Sequence, residues 1–172
     1  IIKDKTSFLL GARLTYSNWL LNLIESSDFK NSSGSFYDTN LNLDHEINDK
    51  SSISFTGYLS NDEFQLRSDS VFAYSNLNGT LKWKQKLSKK MYGEFALGFS
   101  RYNYSVSSER DTVNAFKLDF LVDQLNFNAD FNHSLSSKHT LSYGISAINY
   151  NLEPGSLQKL GISQIKPDEL EQ

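Results

Sequence analysis

The stretch Leu77–Val106, LNGTLKWKQKLSKKMYGEFALGFSRYNYSV, reads as one long β-hairpin. Folded at Ser88-Lys89-Lys90 with its arms antiparallel, it sets Leu87 against Met91, Trp83 against Phe95, Leu81 against Leu97 and Gly79 against Phe99. The same register sets Lys84 against Glu94 and Lys86 against Tyr92. One face is apolar, the other polar, and each cross-strand pair is a plausible match. A large ring opposite a strand glycine covers bare backbone, so Phe99 is expected over Gly79. What the apolar face meets, lipid or a second layer of protein, decides the fold and the function.

Upstream, Thr6–Tyr16 alternates, with Phe8, Leu10, Ala12, Leu14 and Tyr16 on one face. Trp19–Ile24 is denser in apolar residues and fits a helical turn or two, and Glu25–Ser35 reads as a loop. Tyr37, Thr39, Leu41, Leu43 and Ile47 then alternate with polar residues up to a turn at Asn48-Asp49-Lys50. Ile53, Phe55, Gly57 and Leu59 return, which sets Leu43 against Phe55 and Asn42 against Thr56. Asn61–Ser75 reads as a polar-aromatic connection, and Tyr102–Asn114 as a strand end and a long loop.

Ala115–Leu135 is the longest strand-like tract, and its phase slips. Phe116, Leu118, Phe120 and Val122 hold even positions, while Leu125, Phe127, Ala129 and Phe131 hold odd ones. A β-bulge near Asp123-Gln124 would return them to one face; a turn there is the alternative, but two residues without Gly or Asn make a poor hairpin turn. After a turn at Ser136-Ser137-Lys138, Phe131 should face Tyr143, Ala129 should face Ile145 and Asn128 should face Ser146. The tail from Glu153, with two prolines and several charges, reads as loop.

Seven long strands in an antiparallel up-and-down meander are therefore expected, an all-β fold. The three tight turns would lie at one end and the longer connections at the other. Short turns opposite long loops, with strands of about ten alternating residues, are the pattern of a transmembrane β-barrel. Hydrocarbon tolerates only backbone that is fully paired, and a closed barrel meets that condition. A soluble antiparallel sheet, a binding or adhesion module packed on a second layer, shows the same alternation and is the alternative. Orientation of Trp83, Phe95, Leu97 and Phe99 separates the two: outward in a barrel, inward in a sandwich.

Composition narrows the functions. The chain has 172 residues, of which 38% are apolar and 13% aromatic. Mean hydropathy is -0.47, and no run approaches the roughly 18–20 apolar residues of a membrane helix. A net charge of -3 favours no polyanionic or polycationic partner. With no cysteine, disulfides, thiolate chemistry and cysteine metal sites are excluded. The sequence opens at Ile1 in a strand-like run without initiator Met or signal peptide, so a piece of a longer chain is expected.

No catalytic set is assembled. His45, His133 and His139 do not make a metal-ligand pattern, and Asp38 with Asp44, or Glu109 with Asp111, lie in strand or loop contexts unlike an acid–base pair. There is no phosphate loop and no nucleophile motif. Lys82, Lys84, Lys86, Lys89 and Lys90 form a basic stripe that fits a solvated or lumen-facing strand near a turn better than a nucleic-acid surface. No enzyme activity and no cofactor are expected.

The motifs also carry a family likeness. Ile1–Phe8 followed by Gly11-Ala12-Arg13-Leu14-Thr15-Tyr16 resembles the stretch leading into the barrel of TonB-dependent outer-membrane receptors of the Bacteroidetes type. Phe36-Tyr37-Asp38 with Asn40, then Asn48-Asp49-Lys50 and Ser54–Tyr58, is similar to the next hairpin of that family. Asn128-Ala129-Asp130-Phe131, His139-Thr140 with Tyr143-Gly144, and Glu153-Pro154-Gly155 with Leu157 are similar to a later one. The resemblance covers nearly the whole chain through distributed patterns.

It implies that residues 1–172 are a partial barrel wall in the outer membrane of a Gram-negative cell, from a 22-stranded barrel that holds a plug. The chain shows neither plug nor TonB box, so its own expected contacts are outer-membrane lipid and the plug. TonB would act through parts absent from this chain, and a surface lipoprotein is a conceivable lid. The function so implied is uptake of a scarce nutrient, such as a metal chelate or an oligosaccharide. Capture at the loops would be followed by TonB-driven opening. Candidate ligand contacts on loops and upper lumen are Phe64, Arg67, Phe72, Tyr74, Arg101, Tyr102, Tyr104 and Arg110, because rings and guanidinium groups stack on and chelate such ligands. Tyr102 and Tyr104 have a second reading, as part of an aromatic girdle at the membrane interface.

Overall fold

A computed structural model describes residues 5–16, 32–65, 70–108 and 113–161. They form one open antiparallel sheet whose spatial order follows the chain order. Its strands are β1 Thr6–Tyr16, β2 Ser33–Asn48, β3 Ser51–Gln65, β4 Ser70–Ser88, β5 Met91–Ser108, β6 Phe116–Ser134 and β7 Thr140–Lys159. The edges of the sheet are β1 and β7.

The central hairpin has the register its side chains demand. Trp83 pairs with Phe95, Leu81 with Leu97, Gly79 with Phe99, Lys84 with Glu94 and Lys86 with Tyr92. The turn itself is tighter than three residues. Ser88, not Leu87, pairs with Met91, and Leu87 is the extra residue of a bulge before the two-residue turn Lys89-Lys90. The β2–β3 hairpin repeats this device, with Ile47 bulged and Asn48 paired with Ser51. All three tight turns are closed alike. The amide of Lys50 donates to Asn48 Oδ1 at 2.9 Å, that of Lys90 to Ser88 Oγ at 3.2 Å, and that of Lys138 to Ser136 Oγ at 3.2 Å. Asn and Ser thus satisfy a turn amide locally, which is why they favour these positions.

Strands at the other end run further than their composition suggests. Ser33–Ser35 belongs to β2, and Asn61–Gln65 and Ser70–Ser75 are the paired ends of β3 and β4. Tyr102–Ser108 and Glu153–Lys159 likewise continue β5 and β7 as strand. Polar residues there read as loop, but each of these segments is paired in register with a neighbouring strand. The helical reading of Trp19–Ile24 and most of the Glu25–Ser35 loop lie outside the described residues.

The expected bulge at Asp123-Gln124 is absent. The β5–β6 register is continuous from Met91↔His133 to Ser108↔Phe116, so side chains of β6 keep strict alternation. The irregularity lies further along, between Asp119 and Leu121 against β7. The phase slip is therefore a change of face. On the half of the sheet nearest the tight turns, the first face carries Phe55, Leu81, Leu97 and Phe127, each paired in one row. On the opposite half it carries Asn61, Ser75, Asn103 and then Leu121. The second face does the reverse. It carries Asn42, Thr56 and Thr80 near the turns and Tyr74, Tyr104 and Phe120 at the far end.

Packing on the first face is lateral, within the sheet. Trp83 stacks on Phe95 at 5.2 Å, Phe95 meets Phe131 edge-on at 5.6 Å, and Phe131 stacks on Tyr143 at 5.4 Å. The indole N–H of Trp83 donates to Ser51 Oγ at 2.9 Å. The ring nearest the Gly79 backbone belongs to Phe55, 3.8 Å from where a Cβ would stand, and not to the registered partner Phe99. Phe55 also lies 3.1 Å from the corresponding point of Gly57, so one ring covers the pair Gly57↔Gly79.

Among the described residues, the buried apolar side chains are only Ala115 and Ala129. Leu97 is 49% exposed and Ile145 63%. A sheet with this many bare rings and methyls has no core of its own.

Candidate functional site

Face exchange gathers most of the expected ligand contacts in one place. Phe64, Phe72, Tyr74 and Tyr104 lie on the second face, at the end of the sheet away from the tight turns. Their rings form a ladder across β3–β6. Phe72 stacks on Phe64 at 5.2 Å, Phe64 on Tyr74 at 6.0 Å, Tyr74 on Tyr104 at 4.9 Å and Tyr104 on Phe120 at 5.8 Å. Interplanar angles of 10–27° at centroid distances of 4.9–6.0 Å make these offset, near-parallel stacks, each worth about 0.5–1.5 kcal/mol beyond burial. Tyr102 is one row nearer the turns on the same face, between Asn76 and Val122.

Not every candidate joins them. Arg101 projects from the first face, where Nε and Nη2 donate to the two carboxylate oxygens of Asp123, both at 2.7 Å. It also lies 5.8 Å over Phe99. Strand alternation separates it from its neighbour Tyr102, and its guanidinium is engaged. Arg67 and Arg110 lie outside the described residues. The girdle reading of Tyr102 and Tyr104 needs them on the face that carries Leu81 and Leu97; they are on the other one.

Two contributors were not singled out from the sequence. Phe120 ends the ladder because the β6 alternation is unbroken; its even position, taken at face value, was the signal. The second is the ion pair of Arg13 and Asp38, joined across β1 and β2 at 2.6–2.7 Å on the same face. Asp38 is the one buried charged group among the described residues, and Arg13 also covers the Phe36 ring at 5.1 Å. Its partner position in the β1–β2 register follows from the alternation of both strands.

Two phenols at this end, those of Tyr102 and Tyr104, are pushed up from their ordinary value. Desolvation among the neighbouring rings raises Tyr102 above its ordinary value, with Tyr74 adding to the effect. Tyr104 is raised by the same desolvation, then by Tyr74 through both charge and a hydrogen bond. An ordinary value of 10.0 already leaves both protonated at physiological pH, and the shift moves their ionisation further into the alkaline range.

Other charged groups are engaged near the tight turns. Lys82 and Lys84 share Glu94, at 3.0 and 3.7 Å, and Lys86 lies 5.6 Å over Tyr92. Three members of the basic stripe are thus tied to an acid or a ring on their own sheet. His45 Nδ1 is 2.8 Å from Thr6 Oγ1 across the β1–β2 pair. Among the described residues no group of three His, Cys, Asp or Glu side chains converges as a metal site would require.

No protein-family model, curated protein or solved structure matches the chain.

Proposed function

We propose that this chain is wall of a transmembrane β-barrel in an outer-membrane receptor of the TonB-dependent kind, which takes up a scarce nutrient and performs no chemistry on it. The observation that carries the reading is the height of the apolar band on the first face. On β4 its apolar side chains are Leu77, Leu81, Trp83 and the bulged Leu87, with Gly79 and Gln85 between them and the Arg101–Asp123 ion pair in the row of Leu77 at its upper margin; from Leu77 to Leu87 is ten residue steps, about 34 Å of strand at about 3.4 Å per residue. Tilted by about 45°, that projects to about 24 Å, against roughly 25 Å for the apolar belt of outer-membrane barrels.

The rest of each strand then stands in water, and the exchange of faces follows from that. Inside the belt, lipid requires apolar side chains outward while the lumen accepts Asn42, Thr56 and Thr80. Beyond it the outward residues Asn61, Ser75 and Asn103 meet solvent. The rings turn inward. The open edges of β1 and β7 would be paired by further strands of the same wall, since hydrocarbon leaves no backbone group unpaired. In this reading ligand is captured at the loop end and TonB-driven movement of the plug opens the lumen.

A spin label at Leu97 in the whole receptor, in lipid vesicles, tests the reading. A mobile label reached by oxygen but not by a water-soluble quencher is the expected result. An immobilised label that neither reaches would instead favour the soluble sheet packed on a second layer.

A further inference from the structure

Every tight turn carries the same four-residue pattern. Ile47-Asn48-Asp49-Lys50, Leu87-Ser88-Lys89-Lys90 and Leu135-Ser136-Ser137-Lys138 each place an apolar residue, a capping Asn or Ser, one variable residue and a lysine. The lysine amide bonds the cap, which fixes the lysine three residues past the apolar side chain. Ile47, Leu87 and Leu135 are exposed, and so are Lys50, Lys89, Lys90 and Lys138. Each tip therefore presents a bare alkyl group beside a bare ammonium group.

These ammonium groups differ from the cations within the strands. Arg13, Lys82, Lys84, Arg101 and Lys117 each meet a carboxylate of their own sheet at 2.6–3.7 Å, and Lys86 lies over Tyr92. Among the described residues, no carboxylate makes an ion pair with Lys50, Lys89, Lys90 or Lys138. In the three turns these four lysines stand against a single acid, Asp49. A cationic row with no partner on its own sheet suits an external anion.

Register brings the tips to nearly one level. Ser51 pairs with Gln85, so the second turn closes at Ser88↔Met91, two rungs beyond the first at Asn48↔Ser51. Met91 pairs with His133, so the third ladder ends at Ser134↔Thr140, one rung further. Three rungs are about 10 Å, over four strand spacings of about 19 Å, a slope of about 28°. The apolar band on the first face descends in the same sense. Its rung nearest the turns, Thr6–His45–Ile53–Trp83–Phe95, begins polar on β1 and β2 and is apolar beyond them. At the loop end the rung Leu14–Tyr37–Asn61–Ser75–Asn103 begins apolar and turns polar. In strands tilted that way by about 40°, the three tips stand within about 5 Å of one level.

We infer that the three tips bind the headgroup phosphates of anionic phospholipid, in the leaflet at the turn end of the wall. The alkyl group of each tip meets the acyl region, and the lysine reaches past it to the phosphate. This rests on the barrel reading above and assigns a lipid class to one rim of it.

The test uses the whole protein in mixed vesicles of phosphatidylcholine and phosphatidylglycerol. Either lipid carries a diazirine close to its glycerol, and labelled residues are mapped by mass spectrometry. Labelling by the phosphatidylglycerol probe should exceed that by the phosphatidylcholine probe by about fivefold at low salt, the gain for one lysine at an anionic surface. The excess should be largest at Leu87, beside two lysines, and smallest at Ile47, whose turn holds Asp49. The variant Lys50→Gln/Lys89→Gln/Lys90→Gln/Lys138→Gln should bring the two probes to parity and leave the phosphatidylcholine signal intact, which also reports that the barrel is folded. High salt should shrink the excess in the unaltered protein as well. Equal labelling by the two probes, or an excess that survives both the variant and high salt, overturns the inference and leaves the barrel standing. Labelling of Ile47, Leu87 and Leu135 by neither probe overturns the barrel and the inference together.

Discussion

Replacing Leu97 by arginine is the most direct challenge to the band on the first face. Leu97 occupies the middle row, with Leu81 and Phe127 as its registered neighbours and one apolar row on either side, Trp83 with Phe95 toward the turns and Phe99 with Leu125 away from them. At the midplane of a bilayer an arginine on the lipid side of a barrel costs about 2–4 kcal/mol, falling to about 0–1 kcal/mol near the interfaces. Ser105 lies on the same face of the same strand, eight residues or about 27 Å further along, which a 45° tilt turns into about 19 Å of height. Leu97→Arg should therefore shift the folding equilibrium by about 30- to 1000-fold, since each 1.4 kcal/mol is tenfold, and Ser105→Arg by less than about tenfold. Denaturant titration of the whole protein in lipid vesicles, followed by tryptophan emission, reads both. A third variant separates lipid from protein as the neighbour. Leu97→Trp would overpack a protein core at about 1–3 kcal/mol, whereas fluid acyl chains make room for it. Equal costs for the two arginines, or a loss of more than about 1 kcal/mol for Leu97→Trp, would refute the reasoning.

Three further outcomes follow from local geometry. Gly144→Ala should destabilise by about 1–3 kcal/mol, because a Cβ there would stand 2.6 Å from the backbone oxygen of Ala129, which cannot swing away. Gly79→Ala, with nothing closer than Phe55 at 3.8 Å, should instead stabilise by about 0.5–1 kcal/mol; the same titration reads both. Alkaline titration followed by phenolate absorbance should show Tyr102 and Tyr104 ionising later than the ordinary 10.0, with one late step lost in Tyr104→Phe. The folded state holds these protons more tightly than the unfolded one. Their contribution to stability is thus complete below the unfolded value and lost as pH rises through the folded one.

Much of the sheet could be read directly from β4 and β5. Trp83 with Phe95, Leu81 with Leu97 and Lys84 with Glu94 are matched pairs at fixed sequence separation, so residue types alone set the register. The same holds for Leu43 with Phe55 and for Phe131 with Tyr143. Turn positions were legible for a related reason: Asn48, Ser88 and Ser136 each bond an amide two residues on, an interaction that needs no tertiary partner. The site was legible in part. Phe64, Phe72, Tyr74 and Tyr104 were identified as a group by their residue type, while Arg101 was included although alternation puts it on the opposite face from Tyr102.

Sequence by itself determined the strands, their antiparallel order and the end at which the turns lie, because alternation and turn chemistry act over a few residues. Only the tertiary structure decided what the slip in β6 means. Phe116–Val122 and Leu125–Phe131 fit a bulge or a change of face equally well as a string of letters. The choice depends on whether the ladder to β5 stays continuous, and that ladder is made with residues from 8 positions away (Phe116 with Ser108) to 38 (Phe131 with Gly93). Pairing is continuous because β3, β4 and β5 exchange their apolar faces at the same height, so an unbroken β6 puts Phe120 against Tyr104 and Phe127 against Leu97. A bulge would have saved one strand's apolar face and set its rings against the polar side chains of its neighbours.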